Sequence, residues 1–330
     1  MLPSKPLQSR RIINEGCETE SMAISYDQPK PSSLPFAFRI LQGTLRMLGA
    51  QGRDRFASGL ARLAYHLDRR HTRVARVNLD MAFGASKSDE EKKAITLSAY
   101  RNLITVAMET ILLQGISKEK LLDLVEFENP AILEEAKATG RPIIFITAHY
   151  GNWELGTLAI AAKFDLPISV VGRPLDWERA NKILVATREQ FGVRMIPKRQ
   201  AMKAMIGVMK QKGALGLVVD QNTSSKQGLL IDFFGHPARH TPSAAILARK
   251  FDAIVIPVFD RPIGRGRYRI SFYDPIPMEK SDDPDADILR HVQREAKVTE
   301  AVIRCHPEPW LWLHQRWKNQ YPHLYQGRKT

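Results

Sequence analysis

From Val125 to Ile276, short apolar runs alternate with longer stretches whose apolar positions recur every three or four residues, and few folds accommodate that rhythm. "VEFEN", "RPIIFITAH", "PISVVGRP", "VRMIP", "ALGLVVDQN" and "AIVIPVFDR" read as strands. Between them "AILEEAKATG", "WELGTLAIAAKF", "WERANKILVATREQFG", "QAMKAMIGVMKQKG" and "TPSAAILARKFD" read as helices, with Gly140, Gly192 and Gly213 as stops. Strands that are apolar throughout are covered on both faces, and strands joined by helices pair in parallel. The fold class expected is therefore α/β, a mostly parallel central sheet flanked by helices. "RYRISFYDPI" alternates like a half-buried strand, and a last long helix is expected over Asp285–Cys305.

Residues 34–124 follow a different rhythm, helical throughout. "RDRFASGLARLAYHLDRRHTRVARVNLDMAF" carries Phe56, Leu60, Leu63, Leu67, Val74, Val77 and Met81 at helical spacing and reads as one helix stopped by Gly84. Ser88 with Glu91 three residues on predicts a capping box opening the next helix, which runs to about Gly115. A shorter one follows near Lys118–Leu124. "LPFAFRILQGTLRMLGA" (Leu34–Ala50) has apolar anchors at Phe38, Leu41, Leu45 and Leu48 and is interrupted by Arg39 and Arg46. It is too charged for a span, but suits a helix lying in a bilayer interface, a reading slightly favoured over burial in the domain. Residues 1–33, polar and rich in Pro and Ser, read as a disordered tail without a signal-peptide pattern, and Met22 offers an alternative start. The division expected is 1–33, 34–124 and 125–330, the last two forming one continuous unit.

A formal charge of +14 and a 44% apolar content point to a globular protein with an anionic partner. Zinc-finger spacing and aromatic ribonucleoprotein patterns are missing, so no nucleic-acid partner is expected. Cys17 and Cys305 match no metal or redox spacing and suggest no disulfide framework.

The chemistry concentrates in "TAHYGNWELG" (Thr147–Gly156), where a predicted strand passes into a predicted helix. Ligands of parallel sheets bind at the carboxyl ends of strands, where His149 stands. Gly151 permits a tight turn, and Asn152 is a good helix N-cap. Glu154 falls in the first helical turn, so the His-x4-Glu spacing can fold the carboxylate back onto one imidazole nitrogen and leave the other on the cleft. An imidazole held so is a competent general base toward a hydroxyl. No Gly-x-Ser-x-Gly elbow accompanies it, which disfavours a covalent serine enzyme. Three further strand ends carry polar residues: Arg173; Lys198 with Arg199; and Asp220, Gln221 and Asn222. The cationic ones suit a phosphate or a polarised carbonyl. Asp220 leaves three roles open: ordering water, binding substrate or holding an arginine. His236 and His240 are separated by Pro237, which argues against a helix presenting both to a metal, so no metal site is expected. "FFG" (Phe233–Gly235) and "HPARHTPS" read as a loop and helix start beside the pocket. Trp310, Trp312 and Trp317 suit core packing better than a membrane interface.

With these motifs the chain resembles the bacterial lipid A late acyltransferases, lauroyl and myristoyl transferases of the lysophospholipid acyltransferase superfamily. The resemblance runs from about Leu34 to Trp317. It rests on "RHTRVARVNLDMAFG", "AHYGNWELG", "VVGRPLD", "DQN", "DFFGHPARHTPSAAILARK" and "HPEPWLWLHQRWK" in this order. It implies a glycerolipid-acyltransferase-like core with an N-terminal helical, membrane-associating part at the cytoplasmic face of the bacterial inner membrane. The implied reaction moves a fatty acyl group from a thioester, on acyl carrier protein in preference to CoA, to a hydroxyl of an anionic glycolipid, a lipid A precursor. No cofactor is implied, the thioester being a substrate. By the resemblance His149 is the base and Glu154 its orienting carboxylate, while Arg173, Asp220 and Gln221 bind substrate or the transition state; Asn152 beside the motif and Lys198 and Arg199 at their strand end are further candidates for binding substrate. Gly172 stands where a bulky aromatic is common, and Asn222 where Asp is frequent. Acyl-CoA-dependent acylation of a mannosylated phosphoinositide, a non-catalytic lipid- or carrier-binding relative, and a thioester hydrolase are the rival readings.

Overall fold

A computed structural model describes residues 34–173, 175, 177–198 and 201–326. The expected tail over 1–33 lies outside these residues, as does Arg199.

Five helices come first: α1 (Phe36–Met47), α2 (Gly49–Leu67), α3 (Arg69–Phe83), α4 (Asp89–Leu113) and α5 (Lys118–Leu122). The single helix expected up to Gly84 is two, because Asp68 caps the second: its carboxylate accepts the backbone N–H of His71. Gly84 ends α3 at φ +50°. The capping box at the start of α4 is present, with Ser88 accepting from the Glu91 N–H and the Glu91 carboxylate accepting from the Ser88 N–H. Such a cap is worth about 1 kcal/mol.

The apolar positions of α1 and α2 are largely turned outward. Leu45, Ala57 and Ala61 pack inward, but Phe36, Ile40, Met47, Phe56, Leu63 and Leu67 are exposed, Met47 at 90%. Arg39, Arg46, Arg55 and Arg62 are exposed along the same two helices. Among the described residues no helix is long and apolar enough to cross a membrane.

The rest builds one main sheet. In chain order come β1 (Val125–Glu128), α6 (Ala131–Ala138), β2 (Ile143–Thr147), α7 (Trp153–Phe164), β3 (Ile168–Gly172), α8 (Glu178–Arg188), β4 (Arg194–Pro197), α9 (Ala201–Lys210) and β5 (Ala214–Val218). Then follow β6 (Leu229–Phe233), β7 (His236–His240), α10 (Ser243–Phe251), β8 (Ile254–Gly264), β9 (Arg267–Phe272), α11 (Pro284–Cys305) and α12 (Pro322–Tyr325). The seven-stranded sheet has the order β1-β9-β8-β2-β5-β3-β4. β8, β2, β5, β3 and β4 are parallel, β9 runs antiparallel to β8, and β1 is parallel to β9. The α/β class with a mostly parallel sheet holds. In β2, Ile143 and Phe145 face the layer holding α7, while Ile144 and Ile146 face α9 and α10, as a strand covered on both sides requires.

One stretch departs from expectation. Residues 229–240 form an antiparallel hairpin of β6 and β7 where a loop was expected, while the helix start expected at the end of "HPARHTPS" is present as α10. Phe234 at φ +58° and Gly235 at φ +78° make its two-residue turn, the left-handed pair that a tight hairpin needs. The hairpin packs against α11, and Phe233 and Phe234 join Trp310, Trp312 and Trp317 in one aromatic core. The three tryptophans are buried, so they belong to packing. Ala75 and Leu79 of α3 and Ala99 of α4 enter that same cluster, which joins the helical part to the rest of the protein.

Candidate active site

Four parallel strands end on one rim, and the order β2-β5-β3-β4 sets their ends side by side. β2 leads into the turn 148–152, where Gly151 has φ +59° and runs against β8 so closely that a Cβ there would lie 1.7 Å from the Asp260 carbonyl oxygen. Only glycine fits this turn. Asn152 then caps α7 by accepting the Leu155 N–H at 3.1 Å.

His149 projects from this turn onto the rim, a fifth exposed. Its Nδ1 lies 2.8 Å from Oδ1 of Asp220, the residue two past the end of β5, and its backbone N–H donates to Oδ2 of the same carboxylate at 3.0 Å. The Trp310 indole N–H donates to Oδ2 as well, at 2.8 Å. Burial opposes the charge on Asp220, but the imidazole and these donors outweigh it and hold the carboxyl far below its usual range. Since Asp220 is ionised, Nδ1 carries the proton. Burial likewise opposes an imidazolium at His149, yet the charge and hydrogen bond of Asp220, with a further contribution from Glu154, raise its pKa above the ordinary histidine value. Nε2 is left facing the rim, 3.3 Å from the Gln221 amide nitrogen.

The carboxylate on the imidazole is thus Asp220. Glu154, expected in that place, points to α8, where its two oxygens are taken by Nε and Nη2 of Arg188. This pair is mostly buried in the wall of the cleft. The physical reason is strand order: β5 lies directly beside β2, so its end meets His149 across one strand spacing. Asn152 is a second correction. It was expected to touch substrate, but it is fully buried, with its amide donating to Glu109 of α4 at 2.7 Å.

Below and around His149 opens a cleft of about 910 Å3. One wall is apolar, with Phe145, Ile160, Ile168 and Val170 on the α7 side of the sheet, and Met195 lines the cleft as well. Arg173, Lys198 and Gln221 line the cleft and are exposed at its mouth. Gly172 keeps one wall thin: a Cβ there would lie 2.5 Å from the Met195 methyl and 3.4 Å from Arg188 Nη1. Trp153 stands edge-on to the His149 ring, centroids 5.1 Å apart. Of the two histidines weighed for a metal, His236 reaches the Met81 carbonyl, while His240 is buried beside Glu295. Among the described residues no cluster of three or more His, Cys, Asp and Glu side chains could hold a metal ion.

A pocket of this volume, apolar inside and basic at the mouth, with an aspartate-held histidine at its head, suits one acyl chain and an anionic second substrate. The sequence profile of bacterial lipid A biosynthesis acyltransferases matches residues 23–319. The chain belongs to that family.

Membership makes it an acyltransferase, and individual relatives are distant. A lipid A biosynthesis acyltransferase of Haemophilus influenzae is 27% identical over 207 residues, 60% of this chain and 61% of that protein. The chain thus aligns with about three-fifths of that relative's length. The lipid A biosynthesis lauroyltransferase of Escherichia coli is 23% identical over 271 residues, 81% of this chain and 85% of that one. A phosphatidylinositol mannoside acyltransferase of Mycolicibacterium smegmatis is 23% identical over 200 residues, 59% of this chain and 62% of that one.

Two groups in this family member escaped sequence reasoning. Arg188 sits at the end of a helix that reads as ordinary, and nothing local links it to Glu154. Trp310 read as packing, and only the fold brings its indole to Asp220.

Proposed function

We propose that this protein is a membrane-peripheral O-acyltransferase that moves a fatty acyl group from a thioester, with acyl carrier protein as the favoured donor, to a hydroxyl of a lipid A precursor. The observation that carries this reading is the His149–Asp220 pair at the head of an apolar cleft. With Nδ1–H donated to Asp220, the Nε2 lone pair takes the proton of the acceptor hydroxyl. The alkoxide attacks the thioester carbonyl directly, and Asp220 stabilises the imidazolium that results. Glu154 adds its negative charge from the cleft wall, favouring the same imidazolium. The oxyanion of the tetrahedral intermediate is met by Arg173 and the Gln221 amide. When the C–S bond breaks, the thiolate receives the proton back from Nε2, and no covalent acyl-enzyme forms.

The acyl chain lies along the apolar wall, and Lys198, Arg199 and Arg173 attract acceptor phosphates or an acidic carrier. The exposed apolar face of α1 and α2, edged by arginines, rests on an anionic bilayer at the cytoplasmic face of the inner membrane. No cofactor is required.

The test is acyl transfer from acyl carrier protein and from CoA to a lipid A precursor and to a mannosylated phosphoinositide. His149→Ala should lower the preferred transfer by about 10²–10⁴-fold with the circular dichroism unchanged. Full retained activity would refute the base. The match to the mycobacterial relative supports a second reading, an acyl-CoA-dependent enzyme acting on another glycolipid, which the same assay separates. Release of free fatty acid without an acceptor would instead identify a hydrolase.

A further inference from the structure

The segment after α11 wraps back over the rim and holds both loops that carry the histidine–aspartate pair. Pro309, Trp310 and Leu311 lie antiparallel to the turn 149–151: the Leu311 N–H donates to the His149 carbonyl at 3.0 Å, and the Gly151 N–H donates to the Pro309 carbonyl at 3.2 Å. Asn102 of α4 closes the clamp, its amide donating to the Gly151 and Pro309 carbonyls. Farther along, His314 Nε2 accepts the Asn222 N–H at 3.1 Å, and Asn319 donates to the Thr223 carbonyl, so the loop after β5 is gripped by the same strap. One side chain acts on the chemistry itself. The Trp310 indole is 2% exposed and donates to Asp220 Oδ2, the oxygen that also accepts the His149 backbone N–H.

We propose that the C-terminal strap is part of the catalytic apparatus, with Trp310 as a positioning residue that fixes Asp220 and, through it, the tautomer and basicity of His149. A carboxylate is free to turn about its Cβ–Cγ bond, and one imidazole N–H does not hold both of its oxygens. The indole N–H and the His149 backbone N–H pin Oδ2, which leaves Oδ1 in the plane where Nδ1–H can reach it. Pinning has a second effect. Each donor to the carboxylate draws charge from it, so Trp310 keeps Asp220 from favouring the imidazolium so strongly that His149 is protonated before substrate arrives. Packing alone does not require this contact. Trp310 already stacks edge-to-face with Trp312 at 4.6 Å and with Phe233 at 6.0 Å, contacts an N–H-free ring could also make.

The proposal rests on His149 being the base, and its test has a readout that does not need activity. In Trp310→Phe, the His149 imidazole is titrated by NMR, its signals assigned by their loss in His149→Ala, and transfer is measured across pH. Expected are an upward shift of the His149 midpoint by about half a pH unit or more, the same shift in the acidic limb of the rate profile, and kcat lower by about tenfold with the donor KM unchanged. A purely structural tryptophan would lower Tm and leave the titration where it was, and that result overturns the proposal. Should Trp310→Phe not fold, residues 305–330 bearing benzothienylalanine at 310, an indole isostere without the N–H, are joined at Cys305 by ligation. An unshifted His149 midpoint in that protein also overturns the proposal. A shifted midpoint alongside full activity of His149→Ala would instead reject the base assignment and leave the strap's grip intact.

Discussion

Asp260 is a buried carboxyl that the proposed transfer does not use. It lies near the end of the parallel part of β8, buried against Gly151 of the 148–152 turn and Gly156 of α7, and its Oδ2 has no hydrogen-bond partner. Burial pushes its pKa from 3.8 up to about 8, a backbone hydrogen bond from Asn152 pulls the other way, and the nearby Glu109 adds to the rise. Glu109 is itself raised, chiefly by burial, and accepts from both Asn152 and Tyr268. The sign for stability follows. Between about pH 4 and pH 8 the folded state keeps a proton that the unfolded state has lost, so this group makes the fold less stable as pH rises through that window. Asp260→Asn keeps the shape and removes the ionisation. Its Tm relative to the native protein should climb steadily from pH 5 to pH 8 in thermal denaturation. A difference that stays constant across that range would mean Asp260 is already ionised in the fold.

At the scale of elements, α1 and α2 present an unusual surface. A helix of a water-soluble domain turns its apolar stripe inward, yet here Phe36 is 73% exposed, and Leu63 and Leu67 are exposed as well. Fully covering a Leu, Phe or Met side chain is worth about 1.5–3 kcal/mol, so half-covering six of them gives an association energy of several kcal/mol. Arginines beside them add an attraction that salt weakens. Vesicles with a large fraction of phosphatidylglycerol should therefore sediment the protein at low salt. Phe36→Ser, Met47→Ser and Leu67→Ser combined should weaken that binding about tenfold or more without lowering Tm, because none of the three packs inside. Equal binding by the triple variant would place the contact elsewhere. The sequence already showed an amphipathic helix at 34–50. It did not show which side faces out, since the stripe Phe38, Leu41, Leu45, Leu48 has only Leu45 buried.

For the whole molecule, the sheet was legible and its strand order was not. Alternating apolar runs and helical periods carry the parallel class because each strand reports its own burial, and each glycine stop is local. Which strand lies beside which is decided by long-range packing, and the pairing of His149 depends on it. Proximity in sequence pairs Glu154 with His149, whereas in the fold Asp220 arrives from 71 residues away and Arg188 draws Glu154 off. The hairpin at 229–240 has a separate, local cause: its turn sets Phe234 as well as Gly235 in the left-handed region, and Phe-Gly carries no Asn-Gly turn signal. His149 itself was findable, because the rim position of a strand end follows from the parallel class alone.

The edge of Trp153 against the His149 ring has a use of its own. A protonated imidazole quenches a neighbouring indole, so Trp153 serves as an optical gauge of the charge on His149. The difference in tryptophan emission between the native protein and Trp153→Phe should dim on acidification, with a midpoint above the ordinary histidine value, and read the charge on His149 with no substrate present. An emission difference that ignores pH would mean the two rings are not in contact in solution.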